Sequence, residues 1–176
     1  MLRKLMLGLF ATTTLTACSG LSVEYYQTQQ PEFKLEDYFN GEIEAWGMFQ
    51  KRNGEVVKRF KVTIDAQWQG DQGVLDEHFT YSDGTTQRRV WTITKHAEKQ
   101  YSSSADDVVG KATGRASGNA LQWLYTLRLP VDDKVYKVQF DDWMHLMEDG
   151  VLINRSKMKK FGFTLGEVIL FFRKVS

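Results

Sequence analysis

From Gly41 onward, apolar and polar residues alternate along the chain. Phe60, Val62, Ile64, Ala66 and Trp68 occupy one phase, and Lys61, Thr63, Asp65 and Gln67 the other. Successive side chains of an extended strand point to opposite faces, so this pattern predicts a strand with one face in a core and the other in water. Leu121, Trp123, Tyr125, Leu127 and Leu129 repeat it, as do Tyr136, Val138 and Phe140. The run from Phe163 to Phe172 is apolar on both phases. It predicts a strand covered on both sides, or one close to a membrane or a partner. Asn53-Gly54, residues 69–73, Ser82-Asp83-Gly84 and Asp132-Asp133 place turn formers between these runs. Helical periodicity is scarce: Leu35 to Asn40 reads as a turn and Trp143 to Glu148 as a short helix.

About eight or nine short strands joined by tight turns predict an all-β fold. The plan that fits successive hairpins is an antiparallel up-and-down β-barrel, lipocalin-like, whose closure removes exposed edges. A two-sheet β-sandwich is the alternative.

Hairpin register locates charged residues that the alternation alone would leave anonymous. Opposed residues share a face, so loop length must bring the apolar phases together. Leu75, Phe79 and Tyr81 precede the Ser82-Asp83-Gly84 turn on odd positions, and Trp91 and Ile93 follow it, also on odd positions. A three-residue loop with Gly84 in the left-handed conformation matches them. It sets Leu75 opposite Trp91 and Glu77 opposite Arg89, with both charges on the apolar face. Such a pair either fixes register or anchors a ligand headgroup, and Arg89 suits a carboxylate or phosphate. A loop at Asp132-Asp133 sets Tyr125 opposite Phe140 and Trp123 opposite Asp142. That places Asp142 on the core phase at a strand end, where it caps a turn or stands at a cavity mouth. Trp68, Trp91 and Trp123 either fill the barrel or line a pocket for an apolar ligand. Together with Tyr125, Glu77, Arg89 and Asp142 they form the candidate ligand-binding set.

The chain has no nucleophile elbow, phosphate loop or dinucleotide fingerprint. His78, His96 and His145 lack metal-site spacing, so neither a metal nor a cofactor is expected. Catalysis would require Asp142 or Glu77 to stand in a real cleft, and an enzyme is the least supported class.

The N-terminus adds a location. Arg3 and Lys4 precede the apolar stretch Leu5 to Phe10, in the layout of an export signal. That stretch is much shorter than the ~20 residues that span a bilayer. Leu15-Thr16-Ala17-Cys18 resembles the lipobox of bacterial lipoproteins, which implies cleavage after residue 17 and acylation of Cys18. Cys18 is the only cysteine, so it has no internal disulfide to make. Ser19 follows it where inner-membrane lipoproteins often carry aspartate. The expected address is therefore the periplasmic face of the outer membrane, held by the acyl anchor. Residues 18–31 are polar and read as an acylated tether, and residues 32–176 as a single β-barrel domain. Cleavage removes two of the 23 basic and none of the 22 acidic side chains, leaving 21 against 22. A nearly neutral chain gives no electrostatic footprint for nucleic acid.

Several segments together resemble one family of bacterial lipoproteins, the domain of unknown function DUF3833. They are Tyr38-Phe39-Asn40-Gly41, Ala45-Trp46-Gly47-Met48-Phe49, Gly118-Asn119-Ala120-Leu121-Gln122-Trp123, Phe140-Asp141-Asp142-Trp143-Met144, Lys160-Phe161-Gly162 and Leu170-Phe171-Phe172-Arg173-Lys174. The resemblance implies no established activity and no catalytic residues. Two functions then compete. One is a carrier or sensor that binds a lipid-like ligand inside the barrel. The other is a structural or assembly lipoprotein that meets an envelope partner through its outer surface, which the doubly apolar segment suggests.

Overall fold

The alternating runs become the strands of one closed sheet. A computed structural model describes residues 20–175, except 97, 98 and 132. Cys18 and the signal-like residues 1–17 lie outside the described residues. The strands are β1 (Gly41–Lys51), β2 (Val56–Gln69), β3 (Gln72–Tyr81), β4 (Thr86–Lys95) and β5 (Gln100–Ser104). They continue as β6 (Ala112–Ser117), β7 (Ala120–Val131), β8 (Lys134–Leu146), β9 (Leu152–Lys160) and β10 (Phe163–Lys174). Each pairs antiparallel with the next, and β10 returns to pair with β1 from Lys51↔Gly166 to Ile43↔Lys174. The seam makes an up-and-down barrel and excludes the sandwich.

The barrel has ten strands, more than the eight or nine expected. The short strands β5 and β6 read Gln-Tyr-Ser-Ser-Ser and Ala-Thr-Gly-Arg-Ala-Ser, with almost no apolar alternation. Their inward positions on β6 are small for a packing reason. The Trp123 ring on β7 lies over Gly114, where a Cβ would come within 2.0 Å of it.

One predicted element is corrected. Residues 143–146 are strand rather than helix, because β7 continues opposite them: Gln122↔Trp143, Leu121↔Met144 and Ala120↔His145. Asp142 consequently lies within β8 and not at a strand end.

The N-terminal segment closes one end of the barrel. A 3-10 turn, Val23–Tyr26, rests on the wall at β6 and β7, with the Tyr26 ring 4.9 Å from His145. Glu24 pairs with Arg115 at 2.6 Å. Val23–Tyr26, within the expected tether, thus lies against the barrel. Beyond it, Phe33, the short helix α1 (Leu35–Tyr38) and Phe39 plug the floor, and Phe33, Leu35, Tyr38 and Phe39 are all buried. Each such side chain contributes roughly 1.5–3 kcal/mol by leaving water. Polar contacts fasten the plug. The Phe33 amide donates to the Gly118 carbonyl at 2.8 Å, and Trp68 Nε1 donates to the Phe39 carbonyl at 2.8 Å. Glu36 accepts from Lys95 at 2.6 Å and from the Tyr101 hydroxyl at 2.8 Å.

Candidate functional site

Above the floor the barrel is hollow. A cavity of about 1220 Å³ runs from Leu35 and Phe39 to the opposite end of the barrel. Its wall is mostly apolar: Leu75, Phe79, Ile93, Leu127, Phe140, Val168 and Leu170 all face it. Every one sits on the inward phase of its strand, so the alternation that builds the barrel also waterproofs its interior.

Two polar groups interrupt this wall. The first grows from the β3–β4 hairpin. Its three-residue turn carries Gly84 at φ 83°, and Leu75 faces Trp91 while Glu77 faces Arg89, as the phases required. Arg89 does not belong to Glu77 alone. Its guanidinium grips Asp107 with Nε at 3.0 Å and Nη2 at 2.7 Å, while Nη1 stands 3.8 Å from Glu77. Trp91 Nε1 donates to Glu77 at 3.3 Å, and the guanidinium lies over the Phe79 ring at 5.4 Å. Burial pushes the Glu77 carboxyl up to about 7, against the opposing pull of Arg89.

The second group centres on Asp142, which is 4% exposed. β7 and β9 flank it: Trp123 faces it on one side and Ser156 on the other. Its carboxylate accepts from the Ser156 hydroxyl, from the Tyr125 hydroxyl at 3.1 Å and from Asn154 Nδ2 at 3.4 Å. No cation pairs with it among the described residues. Burial pushes Asp142 up to about 6, and its hydrogen-bond donors only partly offset this. Tyr125 is stacked on Phe140 at 5.0 Å and meets Trp91 edge-on at 5.5 Å. Burial, then the nearby Asp142 charge, raise its phenol well above the ordinary value.

Of the seven residues in the sequence-derived set, Glu77, Arg89, Trp91, Trp123, Tyr125 and Asp142 line the cavity. Trp68 does not. It holds the predicted face but sits at the floor, over Gly73 and bonded to Phe39. Three residues went unnoticed. Asp107 lies in the loop between β5 and β6, where no periodicity points to it. Asn154 and Ser156 did leave a signal, because Leu152, Asn154, Ser156 and Met158 share one phase of β9.

The open end is framed by exposed apolar side chains. Phe161 is 87% exposed, Phe163 71% and Val135 65%. Phe161 and Gly162 form the two-residue turn between β9 and β10, with φ of 51° and 81°. The left-handed conformation costs a residue with a Cβ about 1–2 kcal/mol. Neither the turn nor the solvent favours phenylalanine there. Lys160 reaches back over the Tyr136 ring at 3.8 Å.

The doubly apolar strand β10 is explained only on its inner face. Outward, Phe171 packs against Trp46 with ring centroids 6.1 Å apart and the planes tilted by 44°, beside Ile153 on β9. Trp46, Phe171 and Ile153 stay 39%, 40% and 39% exposed, with Arg173 and Lys61 over the Trp46 ring.

Residues 12–174 match the sequence profile of a family described as "Protein of unknown function (DUF3833)". No curated protein matches the sequence. Among solved structures, the chain is similar to a de novo designed fluorescence-activating β-barrel. That likeness has 14% identity and a TM-score of 0.43, over 80% of this chain and 96% of that one.

Proposed function

The chain belongs to the DUF3833 family, whose description names no activity, and from the cavity we propose that it is a lipid-anchored carrier or sensor for a lipid-like ligand. The observation that carries the reading is the hollow, open, apolar interior. At about 1220 Å³ it exceeds the ~300–1,000 Å³ of typical small-molecule pockets, so it has room for a long apolar tail. A barrel core built only for stability would be filled with side chains. The two polar groups would hold the headgroup. In the proposed setting, Cys18 carries the acyl anchor and the barrel stands on the periplasmic face of the outer membrane. Exposed Phe161 and Phe163 at the mouth would give an amphiphile an apolar path from a bilayer to the interior.

Mass spectrometry of the protein purified from its host without delipidation tests this reading. The expected result is a stoichiometric apolar or amphiphilic molecule that leaves on solvent extraction. A protein that arrives empty and stays empty when titrated with long-chain amphiphiles would refute it.

A second reading rests on a separate observation. The exposed Trp46, Phe171 and Ile153 patch fits an assembly lipoprotein that docks an envelope partner through its outer wall. In-cell crosslinking from position 171 would capture that partner, and a monomer in every sample would count against it.

A further inference from the structure

The polar wall of the cavity is unbalanced in charge and in hydrogen bonding. Glu77, Asp107 and Asp142 face it with a single cation, Arg89, at their level. That cation is already committed, with two nitrogens on Asp107 and the third towards Glu77. An incoming carboxylate or phosphate would have to displace Asp107 to reach it. The other cations along the cavity stand at the mouth and have partners of their own. Lys51 pairs with Glu55, Lys58 with Asp83, and Arg128 donates to the Asp106 carbonyl.

Acceptors, by contrast, are in surplus. Asp142 is satisfied only by neutral donors, and one of its lone pairs is free. Asn154 is 3% exposed, lines the cavity and gives its amide N–H to Asp142. Its Oδ1 is buried without a donor. A buried acceptor with no partner costs roughly 1–3 kcal/mol, which a ligand donor would recover.

We propose that the cavity selects amphiphiles whose headgroup is a primary ammonium, held by Asp142 and Asn154 Oδ1, over those with carboxylate or phosphate headgroups. This rests on the ligand-binding reading above and specifies its headgroup chemistry. An ammonium brings three donors and one positive charge to a site whose acceptors are in surplus and whose cation, Arg89, is already committed. The Arg89–Asp107 pair then serves as a fixed element of the wall, not as the anion anchor that the sequence suggested.

The groups facing Asp142 set the pH behaviour. They are Tyr125 on β7, Asn154 and Ser156 on β9, and the charge of Glu77, which is felt across the cavity, with Asp141 adjacent on β8. Asp142 and Glu77 lose charge as pH falls below 6 and 7, so the preference for an ammonium weakens in acid.

The test uses the full chain and its intrinsic tryptophan fluorescence, to which Trp91 and Trp123 on the cavity wall contribute, titrated at pH 8 with dodecylamine, dodecanol, dodecanoate and dodecyl phosphate below their micellar concentrations. The expected result is dodecylamine binding about tenfold or more tighter than the two anions. That gap should narrow at pH 5. Asp142→Asn is expected to weaken the amine about tenfold and dodecanol by much less, because only the amine loses a charged partner. Equal or tighter binding of dodecanoate or dodecyl phosphate overturns the headgroup inference and leaves the cavity reading standing. Binding of none of the four overturns the cavity reading itself. If Asp142→Asn does not fold, the ranking on the unsubstituted chain still decides, and Asn154→Ala supplies the second variant.

Discussion

The two ends of the barrel use the same kind of residue in opposite ways. At the floor, Phe33, Leu35 and Phe39 are buried, and hydrogen bonds from Trp68 and to Gly118 lock them in place. At the mouth, Phe161 and Phe163 stand in water on a turn whose backbone disfavours the first of them. Aromatic side chains at the floor contribute stability. Those at the mouth contribute none that the fold requires.

Removing an aromatic from each end should break the comparison most sharply. Phe33→Ala empties a fully buried site and should cost about 3–5 kcal/mol in urea denaturation. Phe161→Ala should cost nothing measurable in the same assay.

Between the ends, the polar wall should give stability a pH dependence of unusual sign. Glu77 titrates near 4.5 in an unfolded chain and near 7 when folded, so the folded state holds a proton that the unfolded state has released. Its favourable contribution is complete below pH 4.5 and is lost as pH rises through 7, a change of roughly 3 kcal/mol. Asp142 adds a loss of the same sign between its ordinary 3.8 and about 6. Glu77→Gln should flatten the fall in Tm between pH 4.5 and 8. A slope identical to that of the parent would show that Glu77 is not held protonated.

A smaller effect is expected at Gly114, where a methyl group would collide with the Trp123 ring. Gly114→Ala should destabilise by about 1–3 kcal/mol and shift tryptophan emission as the ring moves into the cavity. The smallest effect sharpens the contrast at the mouth. Phe161→Asn relieves the left-handed turn and should stabilise by up to about 1 kcal/mol. Under the proposed carrier role, it should also weaken association with phospholipid vesicles in flotation assays.

Most of the barrel was legible because alternation and turn chemistry are local. The three-residue turn at Ser82-Asp83-Gly84 brought Glu77 to Arg89, and the loop at residues 132–133 brought Trp123 to Asp142. Where local signals ran out, so did the reading. The strand count fell short where β5 and β6 carry little alternation: on β6 the small inward Gly114 makes room for Trp123 of the neighbouring strand, which is visible only in three dimensions. Trp143 to Glu148 read as a short helix, and strand pairing to β7 decided otherwise for residues 143–146. Trp68 shows a further limit. Alternation tells which face a residue occupies but not its height along the barrel axis, which closure sets. Asp107 came from a loop without periodicity, and its grip on Arg89 changed the chemistry inferred for the site.

The seam between β1 and β10 also sets the order of events during biogenesis. A chain delivered N-terminus first can zip β1 to β2 and add hairpins in turn, but the free edge of β1 stays unpaired until Gly166 to Lys174 arrives. Contacts between such distant segments form slowly, and an open strand edge invites aggregation in the meantime. Closure of the barrel thus waits on the last strand. Until it emerges there is no enclosed interior, so under the proposed carrier role loading follows completion of the chain.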